Sequence, residues 1–300
     1  MPVTLPPPIA SADAALLAKE AALVEVLAGY GEAMVAFSAG VDSSYLLAVA
    51  HGALGERVLA VTADSPSLTR ASLAEAEAFC RARGIRHAVV KTDEFEREEY
   101  LANDGRRCYH CKAALLRAMH GLAEATRAQR GGAALLIGAI ADDLGDHRPG
   151  MRAAAEAGAQ WPLATLGFTK AEVRERSRAR GLASWNRPAE PCLSSRVPYG
   201  ERVTVAGLRM IEAAELVLKS HGFAECRARH HQAGERGLLC RIEVPAARLA
   251  ELVALRAPVT AALRALGYAH VTLDLGGLVS GGFNALLPAG SVENAAARGG

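Results

Sequence analysis

Four short apolar runs without alternation punctuate the first half of the chain, at residues 34–37 (MVAF), 57–63 (RVLAVTA), 87–90 (HAVV) and 133–138 (AALLIG). A strand covered on both faces has no solvent side to pattern, so it reads as continuous apolar sequence. Between the runs the period becomes that of a helix. Leu46, Leu47 and Val49 follow the first run, a second segment leads from Thr69 to a stop at Gly84, and a long one begins near Tyr109. Ahead of them Ser11 is placed to cap a helix with Leu17, Val24 and Leu27 on one face, ending near Gly31. This alternation predicts an α/β fold: a doubly wound parallel sheet, whose ligands bind beyond the carboxyl ends of the strands.

The pattern changes at residues 161–200, where Pro162, Pro188, Pro191 and Pro198 break up regular structure. A domain boundary is expected near residue 195. Beyond it the periodicity predicts a helix at 205–220, strands at 225–231, 238–244 and 269–275, and a helical stretch at 247–266 broken or kinked at Pro258. The division is then a disordered lead at 1–10, an α/β domain at 11–195, a smaller α+β domain at 196–285 and a flexible tail at 286–300.

Composition narrows the classes. With 300 residues, 51% hydrophobic and 22% charged, the chain can bury an ample core, and a net charge of +2 makes nucleic acid an unlikely partner. No apolar run reaches the roughly 18 to 20 residues of a membrane span. The Pro-rich start has neither the basic nor the apolar region of a signal peptide, so a cytoplasmic location is expected. Six cysteines at uneven spacing do not resemble a secreted disulfide framework.

Candidate chemistry gathers at the predicted strand ends. Residues 34–44, MVAFSAGVDSS, read as strand, small-residue loop and helix start, which collects unpaired N–H groups, the hydroxyls of Ser43 and Ser44 and a positive dipole end about one point. That suits a phosphate; an ordinary turn capped by Ser38 or Asp42 is the alternative. Asp142, Asp143, Asp146, His147 and Arg148 follow the fourth strand, as magnesium ligands or as helix caps. Cys108 and Cys111 have metal-ligand spacing, and Cys192 lies in the broken connector, where Arg196 is expected to lower its pKa. Three ligands of one iron–sulfur cluster, a lone Cys192 nucleophile or sulfur donor, and purely structural thiols all fit these residues. Cys80, Cys226 and Cys240 read as buried and inert. Glu215 interrupts the apolar stripe of Leu208, Ile211 and Leu218 and must meet a cation or metal. Strand alternation sets Arg227, Arg229 and His231 on one face, as an anion cradle or as a solvated strand face.

SAGVDSS resembles the Ser-Gly-Gly-x-Asp-Ser loop of the PP-loop ATP pyrophosphatases, with Ala39 in place of a glycine. Together with TADSPSL, RCYHCK, ADDLGDHRPG, PLATLGFTKAEVR, CLSSRVPYGE, IEAAE, RARHH, RIEVP and YAHVTLDLGG, it resembles the LarE-type ATP-dependent sacrificial sulfur transferases of nickel-pincer nucleotide cofactor biosynthesis. The resemblance implies ATP contacts from Ser38, Ala39, Gly40, Asp42, Ser43, Ser44, Thr62 and Asp142, with Mg²⁺ on Asp42. It implies that the substrate is a pyridinium dicarboxylate mononucleotide-like carboxylate, held at its phosphate by Arg227 and Arg229, and that Asp42, Cys192 and Glu215 serve catalysis. ATP adenylates the carboxylate, and sulfur comes from Cys192 or from a 4Fe-4S cluster on Cys108, Cys111 and Cys192. A homo-oligomer is implied by the same analogy. Ile140 departs from the asparagine the family pattern leads one to expect, and Val279 and Gly282 stand where an arginine and a serine are expected, which leaves the substrate open. A PP-loop tRNA thiolase and a non-catalytic adenine-nucleotide-binding protein are the competing readings.

Overall fold

The computed structural model describes residues 12–130, 132–144, 149–188 and 190–279. The lead at 1–10, the tail at 286–300, Asp146, His147, Arg148 and Gly282 lie outside them. Strands β1 (Ala33–Ala36), β2 (Val58–Asp64), β3 (Arg86–Lys91) and β4 (Ala134–Leu136) form a parallel sheet in the order β3-β2-β1-β4. Helices α1 (Ala12–Gly29), α2 (Val41–Leu54), α3 (Arg70–Arg83), α4 (Glu98–Leu101), α5 (Arg107–Arg130), α6 (Pro149–Glu156), α7 (Pro162–Thr165) and α8 (Lys170–Ala179) accompany it.

Alternate β1 residues serve opposite faces. Val35 joins Leu23, Leu27, Leu46, Leu47 and Val173 on the side of α1, α2 and α8, whereas Met34 and Ala36 join Leu116, Met119 and Ala154 on the side of α5 and α6. Both faces are covered, which is why the strand shows no polar alternation. Thr69 caps α3 by accepting from Ser72 N, and Gly84 ends it in the left-handed region, φ 63°.

Further along, the described residues form a second sheet, with β5 (Arg227–Gln232) antiparallel to β6 (Leu238–Glu243) and β7 (His270–Leu273) parallel to β6, covered by α9 (Val205–Ser220), α10 (Leu249–Ala254) and α11 (Arg256–Ala265). The helical stretch does break, but at Leu255 rather than at the proline. Pro258 lies in the first turn of α11, where its missing N–H leaves no hydrogen bond unmade. The proline-punctuated connector is anchored: Leu193, Val197 and Val203 share a core with Tyr100, Leu208 and Ile211. Among the described residues no helix is long and apolar enough to cross a membrane.

Candidate active site

At the end of β1 the chain turns through Ser38 and Ala39 into α2. Ala39 is buried with φ 57°, the left-handed conformation in which a β-carbon costs about 1 to 2 kcal/mol. Gly40 is the N-cap of α2 and no side chain caps the helix, so neither Ser38 nor Asp42 plays the capping role. The Ser43 hydroxyl lies 3.2 Å from that of Ser38 and donates to Gly40 O at 3.2 Å. Ser44 Oγ is fully buried with no hydrogen-bond partner. Gly138, past the end of β4, closes the far wall: a β-carbon there would lie 2.8 Å from Ser43 N.

Lys170 at the start of α8 reaches this loop, its Nζ 2.9 and 2.7 Å from the two oxygens of Asp42. Its own backbone N–H donates to Asp142 Oδ2 at 2.7 Å, and Asp143 accepts from Ile140 N at 3.0 Å. Both acids therefore serve backbone donors, the capping alternative of the sequence. Thr62 is buried and donates to Phe37 O at 2.8 Å, with His87 Nε2 at 2.8 Å from the same hydroxyl.

Cys192 begins the short helical turn Leu193–Arg196 and is exposed. Its loop is fixed by Leu193 N donating to Ser67 O at 2.8 Å, by Tyr100 Oη against Ser194 Oγ at 2.7 Å, and by Arg107 donating to Ser194 O at 2.8 Å. Asn103, itself at φ 55°, donates to Pro198 O at 2.7 Å and Glu201 O at 2.9 Å. Cys108 and Cys111 lie three residues apart in the first turn of α5, on one helical face. Burial, then the neighbouring Cys192 and Glu94, push the Cys111 thiol up to about 12. Burial and then Cys192 raise Cys108 as well, so the three sulfurs share one locality. Among the described residues no three His, Cys, Asp or Glu side chains are set to hold a single metal ion.

Arg196 does not face the thiol as the sequence suggested. Fully buried, it grips Glu215 through Nε at 2.8 Å and Nη2 at 3.0 Å and donates to the carbonyls of Pro191 and Cys192. Glu215 meets its cation, and Oε1 also accepts from Ala228 N at 3.2 Å. Arg107 is the buried cationic neighbour of the thiols, with Lys112 also beside Cys108 and Cys111. Burial penalises the charged form of Arg107, yet the fields of Cys192, Cys108 and nearby tyrosines leave its pKa raised.

On β5, Ala228 and His230 are buried towards the core, the latter 3.0 Å from Tyr268 Oη, and Arg227, Arg229 and His231 take the opposite face. Arg229 pairs with Glu243 at 2.7 Å and donates to Ser195 O at 2.9 Å. His231 is not a cation at neutral pH: burial, then Arg241, His230 and Arg229, hold it at about 4. Arg196 pairs with Glu215, Arg229 with Glu243, and Arg241 with both Glu243 and Asp274, while burial and then Arg196 lower the pKa of Arg227.

No family model matches the chain. An uncharacterised protein of Synechocystis sp. is 40% identical over 257 residues, 85% of this chain and 92% of its own length. The pyridinium-3,5-bisthiocarboxylic acid mononucleotide synthase of Lactiplantibacillus plantarum is 35% identical over 272 residues, 90% of this chain and 95% of its own. The chain belongs to the LarE-type sulfur transferase family.

In this LarE-type chain the phosphate loop suits ATP and magnesium: an orphaned buried hydroxyl on Ser44, a glycine wall at Gly138 that tolerates no β-carbon, and the hard oxygens of Asp42 and Ser43. The cysteine locality offers soft sulfur donors from two elements, the donor type that iron–sulfur clusters use. Lys170, Arg107, Asn103, Arg187 and Gly138 were not assigned site roles from the sequence. Arg107 had a signal, since it immediately precedes Cys108.

Proposed function

We propose that this LarE-type enzyme uses ATP to convert a carboxylate of a pyridinium dicarboxylate mononucleotide-like substrate to a thiocarboxylate, as the name of its Lactiplantibacillus relative suggests. The carrying observation is the exposed Cys192 on a loop braced both to the β2 end, at Ser67, and to the arginine-rich face of β5, through Arg229 and Ser195. Residues 11–195 act as the nucleotide domain and 196–285 as the substrate side.

Ser38, Ala39, Gly40, Ser43 and Ser44 bind the ATP phosphates through backbone N–H groups and hydroxyls at the α2 start, and Asp42 holds the magnesium. Lys170, released from Asp42, neutralises charge on the departing pyrophosphate. Arg227 and Arg229 hold the substrate phosphate. A substrate carboxylate oxygen attacks the α-phosphorus, giving acyl adenylate and pyrophosphate. The Cys192 thiolate adds to the acyl carbon and AMP leaves with the C–O electron pair, giving a thioester. The Cys192 Cα proton is lost to solvent as the Cα=Cβ bond forms and the Cβ–S bond breaks, its electron pair leaving on the thiocarboxylate sulfur and dehydroalanine remaining in the chain. Arg107 and Arg196 fix the loop through the Ser194 and Cys192 carbonyls. Cys108, Cys111 and Cys192 would also hold an iron–sulfur cluster, which when bound supplies a replaceable sulfide and spares Cys192.

The test is anaerobic iron and acid-labile sulfide analysis on wild type and Cys108→Ala, alongside pyrophosphate release with ATP and the pyridinium dicarboxylate mononucleotide. About four irons per chain, lost in the variant, support the cluster route. Iron-free protein that loses H₂S from the Cys192 peptide supports the sacrificial route. Absence of pyrophosphate release with this substrate would overturn the function.

A further inference from the structure

Ala39 is one of two non-glycine residues with positive φ among the described residues, and it sits in the nucleotide loop. A strained backbone persists only where its surroundings over-determine it. One side chain fastens its carbonyl: Arg187 Nη1 donates to Ala39 O at 3.3 Å. The same guanidinium donates to Ser72 Oγ at 3.2 Å, pairs with Glu75 at the surface, and pairs with Glu190 Oε2 at 2.9 Å. Glu190 also meets Lys219 of α9 at 3.3 Å and lies two residues before Cys192. A continuous polar line thus runs from the Ala39 carbonyl through Arg187 and Glu190 to α9 and the cysteine loop.

We infer that Arg187 is a positioning residue that holds Ala39 in its left-handed conformation and, through Glu190, ties the nucleotide loop to the loop bearing Cys192. The planar guanidinium is what allows this, because it presents separate N–H groups to a carbonyl, a hydroxyl and two carboxylates at once; an ammonium group cannot span them. The arrangement also accounts for an alanine where a glycine would be unstrained: the conformation is imposed by a partner from elsewhere in the chain instead of being permitted locally.

The inference deepens the proposed ATP reading, and a ligand-free experiment separates the two. In a double-mutant cycle of Arg187→Ala and Ala39→Gly, melting without ATP is expected to be non-additive, Ala39→Gly recovering much of what Arg187→Ala loses. Arg187→Ala should weaken ATP binding about tenfold with Ala39 present and less than about threefold with glycine there. Arg187→Lys should bind ATP as poorly as Arg187→Ala, since a simple charge effect would be rescued and a bridge would not. Glu190→Gln, which leaves the Ala39 contact in place, should raise the rate of Cys192 alkylation by iodoacetamide several-fold, read on the Cys192 peptide. Additive melting losses, full rescue by lysine, or an unchanged alkylation rate would overturn the inference. Wild-type protein that binds no ATP would instead overturn the proposed function, with the melting cycle still deciding the role of Arg187.

Discussion

The loop between β1 and α2 and the loop bearing Cys192 are built on different principles. The first is the junction of two regular elements: β1 fixes where it starts, α2 where it ends, and only Ala39 between them needs outside help. The second has no regular element behind it beyond a four-residue helical turn. It is held by side chains from distant segments: Tyr100, Asn103 and Arg107 from one side, Glu215 through Arg196 from the other. A phosphate site asks mainly for backbone N–H groups, which a strand–helix junction supplies unaided. A reactive thiol asks for exposure together with fixed orientation, and an exposed loop gains that only from buried polar anchors beneath it.

The sharpest way to break the comparison is at the thiol. Cys192→Ala is expected to abolish sulfur transfer while leaving ATP affinity, measured by calorimetry, unchanged; retained transfer would remove Cys192 from the chemistry. The next largest effect lies under it. Glu215→Ala leaves the guanidinium of Arg196, fully buried, without its carboxylate, and breaking such a pair costs about 3 to 5 kcal/mol. Urea unfolding should show that loss. Cys192 alkylation should accelerate in this variant, while ATP affinity stays as in wild type.

This difference also explains what could be read in advance. The four strands of the parallel sheet, α2, α3 and α9 are legible because burial on two faces or one stripe leaves a period in the sequence. Glu215 is legible because a carboxylate on an apolar stripe demands a cation. Arg196 was assigned to the thiol on sequence proximity alone, whereas its side chain turns away to Glu215, 19 residues on. Arg107 and Asn103 bond to residues 87 and 95 positions away, Ser194 O and Pro198 O, and no local pattern announces such contacts. Nor does periodicity reveal that Lys170 meets Asp42 across 128 residues.

At the loop between β1 and α2, the Gly138 wall is the place to press. Gly138→Ala inserts a β-carbon 2.8 Å from Ser43 N and 2.9 Å from Ser43 Cα, so α2 or the β4 end must shift. Overpacking of this kind costs about 1 to 3 kcal/mol. Because the displaced atoms are the first-turn N–H groups, ATP affinity should fall while the alkylation rate of Cys192 stays as in wild type. Equal damage at both loops would mean that they form one unit.

The smallest effect is one of pH, and it belongs to the arginine-rich strand beneath the cysteine loop. His231 packs beside Arg241, 3.4 Å from its Nε, with Glu201 at 3.9 Å, and burial followed by Arg241, His230 and Arg229 holds its pKa at about 4 against 6.5 for the free side chain. The unfolded chain therefore takes up a proton before the folded one does. The neutral histidine's contribution is complete above pH 6.5, declines as pH falls from there towards 4, and is gone below that. At about pH 5.5 the loss amounts to about 1 kcal/mol. It should appear as a fall in the urea midpoint between neutral pH and that point, absent in His231→Gln. The same titration followed by NMR at the imidazole should show no protonation near 6.5. A normal histidine titration there would mean that the face opposite His230 is more open to water than this packing provides, and that a third cation is available for the substrate phosphate.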